Sequence, residues 1–193
     1  VSLLGIERDT PGFARTELKK MGWWASDTAE LHLDDCRVPA SHLIGAEGQA
    51  FPLIMRNFNG ERLTLAASAC GAAQACLEDA VAWARERKTF GQPLIAHQVI
   101  RHKLVDMAER IEATRALIDD LASRLDAGEQ PVAQTAMAKN YAARTMQFCA
   151  DAAVQILGGS GYMRGVRVER IYREVKVMMI GGGAEEILKD LAA

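Results

Sequence analysis

Glu61 is the residue of this chain best placed by its neighbours to move a proton. It follows Asn59-Gly60, precedes Arg62 and opens a long run with a small-residue face. A carboxylate turned into an apolar pocket has its pKa raised by desolvation, while the positive end of a helix opposes part of that shift. Such a group can serve as a general base. The plainer reading is an acid favoured in a first helical turn and paired with Arg62 at the surface, and the residues alone leave both open. At the far end of the run, Arg87-Lys88-Thr89-Phe90-Gly91-Gln92 with His97-Gln98 forms a cationic, hydroxyl and aromatic cluster rich in donors. It reads equally as an ordinary helix end with cations and a glycine stop. Gln155, between Val154 and Ile156, would need a buried partner. Gly158-Gly159 suits either a C-cap or close backbone approach to a planar ligand. Gly181-Gly182-Gly183 ahead of a helix is a weaker signal for an anion or oxyanion site. His32, His42 and His102 have no partners at metal-ligand spacing.

Helices are needed to position these groups. Arg62 to Glu86 holds no proline and one glycine, and Leu63, Ala66, Cys70, Ala73, Leu77, Val81 and Ala84 recur every three or four residues. At about 1.5 Å rise per residue, Glu61 and Arg87 stand roughly 39 Å apart. If both ends serve one kind of site, they serve it from different chains. A second helix carries Ile100, Leu104, Met107, Ile111, Thr114, Ile118, Leu121 and Leu125 in a bundle-type stripe and stops at Asp126-Ala127-Gly128. Pro131 opens a third, expected to bury Met137, Tyr141, Phe148 and Ile156 and to end at Gly158-Gly159. A shorter helix from about Val166 to Met179 and a last one to Leu191 complete a bundle. Before about Gly45 the period is two, with strands in Ser2–Glu7 and Ala29–Asp35. Leu31 and Leu33 are expected on one face, and Trp23 and Trp24 in sheet packing.

The 193 residues carry 23 basic and 25 acidic side chains, a formal charge of -2, which argues against a nucleic-acid or anionic-membrane surface. No apolar run approaches the roughly 18 residues a spanning helix needs. Cys36, Cys70, Cys76 and Cys149 lack ligand spacing and read as reduced core cysteines, with Cys70 and Cys76 on different faces of their helix.

These pieces together resemble the acyl-CoA dehydrogenase family of flavoproteins. The matching stretches are Met21-Gly22-Trp23 with Ser26-Asp27-Thr28, Asp34-Asp35-Cys36-Arg37-Val38-Pro39, Glu61-Arg62, Arg87 to Gln92 with His97-Gln98, Gln155-Ile156-Leu157-Gly158-Gly159-Ser160-Gly161-Tyr162, and Tyr172-Arg173-Glu174. The resemblance implies a mainly α fold: the end of a central β domain over residues 1–46 and a C-terminal four-helix-bundle domain over 47–193, with an N-terminal helical domain absent. It implies oxidation of an acyl-CoA to trans-2-enoyl-CoA in fatty acid metabolism. FAD would be the cofactor, an electron-transferring flavoprotein the acceptor, and the assembly a dimer or dimer of dimers in bacterial cytoplasm or the mitochondrial matrix. This piece alone would be inactive. Arg87, Thr89, Phe90, His97, Gln98, Gln155, Gly158 and Gly159 would contact FAD, as would Ala184 and Glu186. Ala184 stands where the family usually has a hydroxyl residue. Asn59 and Arg62 would contact the CoA part of the substrate. Many members carry the base in the C-terminal loop, where this chain has Gly182 and then Gly183-Ala184. Long-chain and isovaleryl members carry it at the position of Glu61, with the Gly182 N–H in the oxyanion hole. The glycine run is expected to leave room for a bulky, branched or long acyl group. An acyl-CoA oxidase or a flavin-free oligomerisation bundle are the alternatives.

Overall fold

The computed structural model describes residues 1–193, which divide into two compact units, Val1–Phe58 and Asn59–Ala193. In the first unit β1 (Leu3–Leu4) pairs antiparallel with β4 (Leu43–Ile44), and β2 (Phe13–Glu17) with β3 (Ala29–Leu33) in the register Phe13 opposite Leu33. Gly12 is fixed by space and by backbone. Its φ is +83°, and a Cβ there would fall 2.0 Å from the Asp34 carbonyl oxygen. Leu31 and Leu33 alternate as expected for one face, but both are exposed, and Trp23 and Trp24 are not enclosed. Two-stranded ribbons have no second layer against which to bury a face.

α1 spans Ala50–Glu86, so it begins well before Glu61. Pro52 falls in its first turn, where a missing N–H costs no intrahelical bond. The Asn59-Gly60-Glu61-Arg62 stretch is therefore helix interior, and a helix N-terminus does not act on Glu61. A hairpin follows, with β5 (Lys88–Thr89) pairing to β6 (Gln92–Pro93). Then come α2 (Gln98–Asp126), α3 (Val132–Leu157), α4 (Arg167–Ile180) and α5 (Glu185–Ala192). Their ends fall where glycine punctuates the sequence: Gly128 has φ +85° and Gly158 φ +61°, conformations that glycine adopts without a Cβ penalty.

The bundle core combines a small-residue face of α1 (Ala66, Ala69, Cys70, Ala73, Cys76, Ala80, Ala84) with Leu104, Met107 and Ile111 of α2 and Met146, Cys149 and Ile156 of α3. Val168, Ile171, Val175 and Met178 of α4 join it. The buried face of α1 is broad enough to hold both Cys70 and Cys76, and burial pushes the Cys76 and Cys149 thiols up to about 12. Thr114, the polar member of the α2 stripe, is satisfied: its hydroxyl lies 2.7 Å from the Arg110 carbonyl oxygen and 2.9 Å from Thr145 Oγ1. Contacts of 107 with 149 and 114 with 145 run in opposite senses, so α2 and α3 are antiparallel.

The inner face of α3 differs from the expected one. Met137 and Tyr141 are exposed and Phe148 is half-buried, while Ala136, Lys139, Asn140, Ala143 and Thr145 face inward. Small side chains let α3 approach its neighbours closely, which leaves the bulky ones outside. Met107→Ala should lower the unfolding free energy by about 2–5 kcal/mol in chemical denaturation, while Val105→Ala, on the exposed side of α2, should stay within about 0.5 kcal/mol of the parent.

Candidate functional site

Two clusters lie at opposite ends of α1's bundle portion. At the first, the loop Gly181–Gly183 between α4 and α5 packs on α1. A Cβ at Gly182 (φ +71°) would meet Leu65 Cδ1 at 2.7 Å, and one at Gly183 (φ +117°) would meet Leu188 Cδ2 at 2.9 Å. The expected room for a large acyl group is therefore filled on this side by two leucines. Leu65 is four residues after Glu61, so both lie on one helix face. Glu61 is one turn from the loop contact and is exposed. The dry pocket expected around it is not formed within the unit Asn59–Ala193.

The loop is held by buried cations. Arg62 turns inward: Nε donates to the Gly182 carbonyl oxygen (3.0 Å) and Nη1 to Asn59 Oδ1 (3.0 Å), and the residue is 6% exposed. Arg62 and Asn59, expected at the CoA part of a substrate, are thus bonded to each other and to the loop. Lys139 of α3 is 1% exposed, and its ammonium donates to the Gly183 carbonyl oxygen (2.8 Å). Burial holds its pKa below the usual lysine range, with the Arg62 charge adding to this and Glu185 opposing it. Asn140 donates to the Glu185 carbonyl oxygen (3.0 Å), while its own Oδ1 is buried without a partner. Sequence reasoning passed over Lys139 and Asn140 because lysine and asparagine ordinarily mark a surface. The available signal was their place in the inward period set by Ala136, Ala143 and Ala150.

Glu185, in the first turn of α5, bonds Arg144 and Lys189. The Arg144 hydrogen bond, opposed by desolvation and assisted by Lys189, lowers its carboxyl to about 2. A depressed folded-state pKa gives a stabilisation that is fully present above the ordinary value of 4.5 and lost as the pH falls from there towards about 2. The thermal midpoint should fall through that window, and Glu185→Gln should flatten that part of the profile. Ala184 is half-buried and Glu186 exposed beside this pair.

At the second cluster, Arg87, Thr89, Leu94, Trp83, Gly158 and Gly159 line a groove of about 500 Å³. A Cβ added at Gly158 or Gly159 would meet nothing within 4 Å, so the backbone is open there. His97 orients Thr89, with its Nε2 lying 2.9 Å from Thr89 Oγ1 and its Nδ1 3.3 Å from Gln92 Nε2. When the Gln92 amide donates to Nδ1, the neutral ring donates from Nε2, which leaves the Thr89 hydroxyl proton free to point at a ligand. Phe90 is 97% exposed with φ +50°, a strained conformation for an aromatic residue, and its ring meets His97 edge-on with centroids 6.2 Å apart. Gln98 begins α2 and is exposed.

Gln155 is exposed, not buried as expected. α3 turns Ile156 and Leu157 inward at that point, and Gln155 lines a neighbouring groove of about 560 Å³ with Asp151, Tyr162, Arg164 and Arg173. A guanidinium and a hydroxyl make a donor pair suited to one end of an anionic dinucleotide, and the glycines leave space for close approach to it.

The sequence profile described as "Acyl-CoA dehydrogenase, C-terminal domain" matches residues 48–193. The chain belongs to the acyl-CoA dehydrogenase family. It is 42% identical over 188 residues to an acyl-CoA dehydrogenase of Bacillus subtilis strain 168, covering 97% of this chain and 50% of that protein. It is 39% identical over 194 residues to the NADH-dependent acryloyl-CoA reductase of Anaerotignum propionicum, covering 100% of this chain and 49% of that protein. The crystal structure of a probable acyl-CoA dehydrogenase from Mycobacterium abscessus superposes with a TM-score of 0.97 at 46% identity, over 99% of this chain and 51% of that one. The chain spans about half the length of the curated relatives it matches. The family's general chemistry is flavin-dependent dehydrogenation of acyl-CoA thioesters. No helix of this acyl-CoA dehydrogenase-family chain is long and apolar enough to cross a membrane.

Proposed function

We propose that this chain forms part of an FAD-dependent enzyme that converts an acyl-CoA thioester to its trans-2-enoyl-CoA, with Glu61 as the base. The observation that supports it best is the contact of Leu65 with Gly182, which sets the Glu61 face of α1 beside the glycine loop. The Glu61 carboxylate takes the proton released when the α-carbon C–H bond breaks. Negative charge then gathers on the thioester oxygen, and the N–H of Gly182 is the donor that stabilises it. FAD, when bound, supplies the acceptor for the hydride that leaves the β-carbon. Arg87, Thr89, Phe90, Gln98, Gln155, Gly158 and Gly159 would hold the adenine and pyrophosphate end of that cofactor in a second copy of the chain, with His97 orienting Thr89. Ala184 and Glu186 would adjoin the cofactor in their own copy. Homo-oligomerisation is therefore part of the proposal, and an electron-transferring flavoprotein is the electron acceptor.

Anaerobic titration of the flavin-loaded enzyme with straight-chain and branched acyl-CoAs tests the reading. At least one thioester should bleach the flavin, and the reduced form should pass its electrons to an electron-transferring flavoprotein faster than to oxygen. A flavin that stays oxidised against every thioester contradicts it.

A further inference from the structure

A run of three glycines is the least rigid backbone a chain can offer, yet an oxyanion donor works only when it is held in place before charge develops. Both ends of this loop are pinned. The Gly181 N–H is committed to the Val177 carbonyl oxygen at 2.7 Å, and the next two carbonyls are taken by the Arg62 guanidinium at 3.0 Å and the Lys139 ammonium at 2.8 Å. Each peptide is planar, so fixing the oxygen of one unit fixes the plane of that unit. The Gly182 N–H belongs to the 181–182 unit, which lies between the unit held through the Gly181 N–H and the unit held through the Gly182 oxygen, so bonds on both sides restrict its direction at the Gly182 φ of +71°. Leu65 and Leu188 crowd the inner side, where a Cβ at Gly182 or Gly183 would come within 3 Å of a leucine methyl at a φ that L side chains rarely adopt.

Burying a lysine ammonium is costly, and Lys139 makes no ion pair in return. Its ammonium donates to a neutral carbonyl, and the charge of Arg62, another cation, acts against it, offset in part by Glu185. A core that needed only volume here would be better served by methionine or leucine. From the clamp of two buried cations on consecutive loop carbonyls we infer that Lys139 is a positioning residue: its ammonium fixes the Gly181–Gly183 loop so that the Gly182 N–H meets the thioester oxygen. Arg62 does the same from α1, which ties the donor to the helix that carries Glu61. This rests on the dehydrogenase reading above, and it places the rigidity of the site in α1 and α3.

The test uses the flavin-loaded enzyme, butyryl-CoA isotopically labelled at the thioester carbonyl, and infrared spectroscopy of the bound carbonyl stretch, with Glu61→Gln as background so that substrate does not turn over. In that background the stretch should move to lower frequency than in free butyryl-CoA. Adding Lys139→Met should return most of that shift with the thermal midpoint and flavin content recorded alongside. Lys139→Gln, which retains a neutral donor, should keep an intermediate shift. With Glu61 intact, Lys139→Met should lower the rate of flavin reduction about tenfold or more, short of the 10²–10³ that loss of an oxyanion donor itself costs, and should leave KM nearly unchanged. No shift in the Glu61→Gln background would overturn the oxyanion reading itself. A normal shift there that persists unchanged in folded Lys139→Met would leave that reading standing and overturn the role of Lys139. Failure of both Lys139 variants to fold would assign the residue to stability alone, and would overturn it too.

Discussion

Glu61→Gln should slow reduction of the bound flavin by acyl-CoA about 10²–10⁴-fold while the enzyme keeps its flavin and its affinity for the thioester. The substitution preserves shape and removes the proton acceptor, and a positioned general base contributes about 10²–10⁴-fold in rate. The loss should therefore appear in the limiting rate of anaerobic reduction and not in the substrate concentration needed to saturate it. Glu61 is eleven residues inside α1, so no helix terminus tunes it. Glu61 is exposed, so the desolvation a base of this kind needs would come from the bound thioester and cofactor. A variant that reduces its flavin at the parent rate would remove Glu61 from the chemistry.

Mixing two crippled chains should restore activity. α1 separates Glu61 from Arg87 by roughly 39 Å, too far for one active site, so a site that needs both draws them from two copies. Arg87→Ala should weaken flavin retention by about 10- to 100-fold, the worth of a charge-assisted hydrogen bond. In a hybrid dimer of Glu61→Gln with Arg87→Ala, one site collects both defects and the other collects neither. Random reassortment of equal amounts then leaves about a quarter of the sites intact, so co-refolded variants should recover about a quarter of the parent activity. Recovery no greater than the sum of the two separate preparations would show that each site is built from a single chain. Size-exclusion chromatography checks that reassortment took place.

The fold was legible where the chain marks its own boundaries. Gly128, Pro131 and Gly158 end or begin helices for steric reasons that need no tertiary context, and the α2 stripe from Leu104 to Leu121 became the observed inner face. The start of α1 was misplaced: Glu61 was expected near a helix N-terminus, but the first turn tolerates Pro52 and a long packed helix tolerates Gly60, so the helix begins at Ala50. The face of α3 was misjudged by size. Met137 and Tyr141 are the residues a core would ordinarily claim, yet close packing selected Ala136, Ala143 and Thr145 in their place. In the site, the glycines at 181–183 could be seen in the sequence but the reason for them could not. It lies in Leu65 and Leu188, more than a hundred residues away and a few residues away respectively, and in two cations that pattern reading assigns to solvent or substrate.

The central claim is that the Glu61 carboxylate and the Gly182 N–H face one thioester from opposite sides. A crystal structure of the flavin-loaded enzyme with bound acyl-CoA tests it most directly. A Glu61 oxygen should lie within about 3–3.5 Å of the substrate α-carbon, with the thioester oxygen on the Gly182 N–H at about 2.7–3.1 Å. A thioester whose α-carbon meets another base, with Glu61 turned to solvent, would contradict the account.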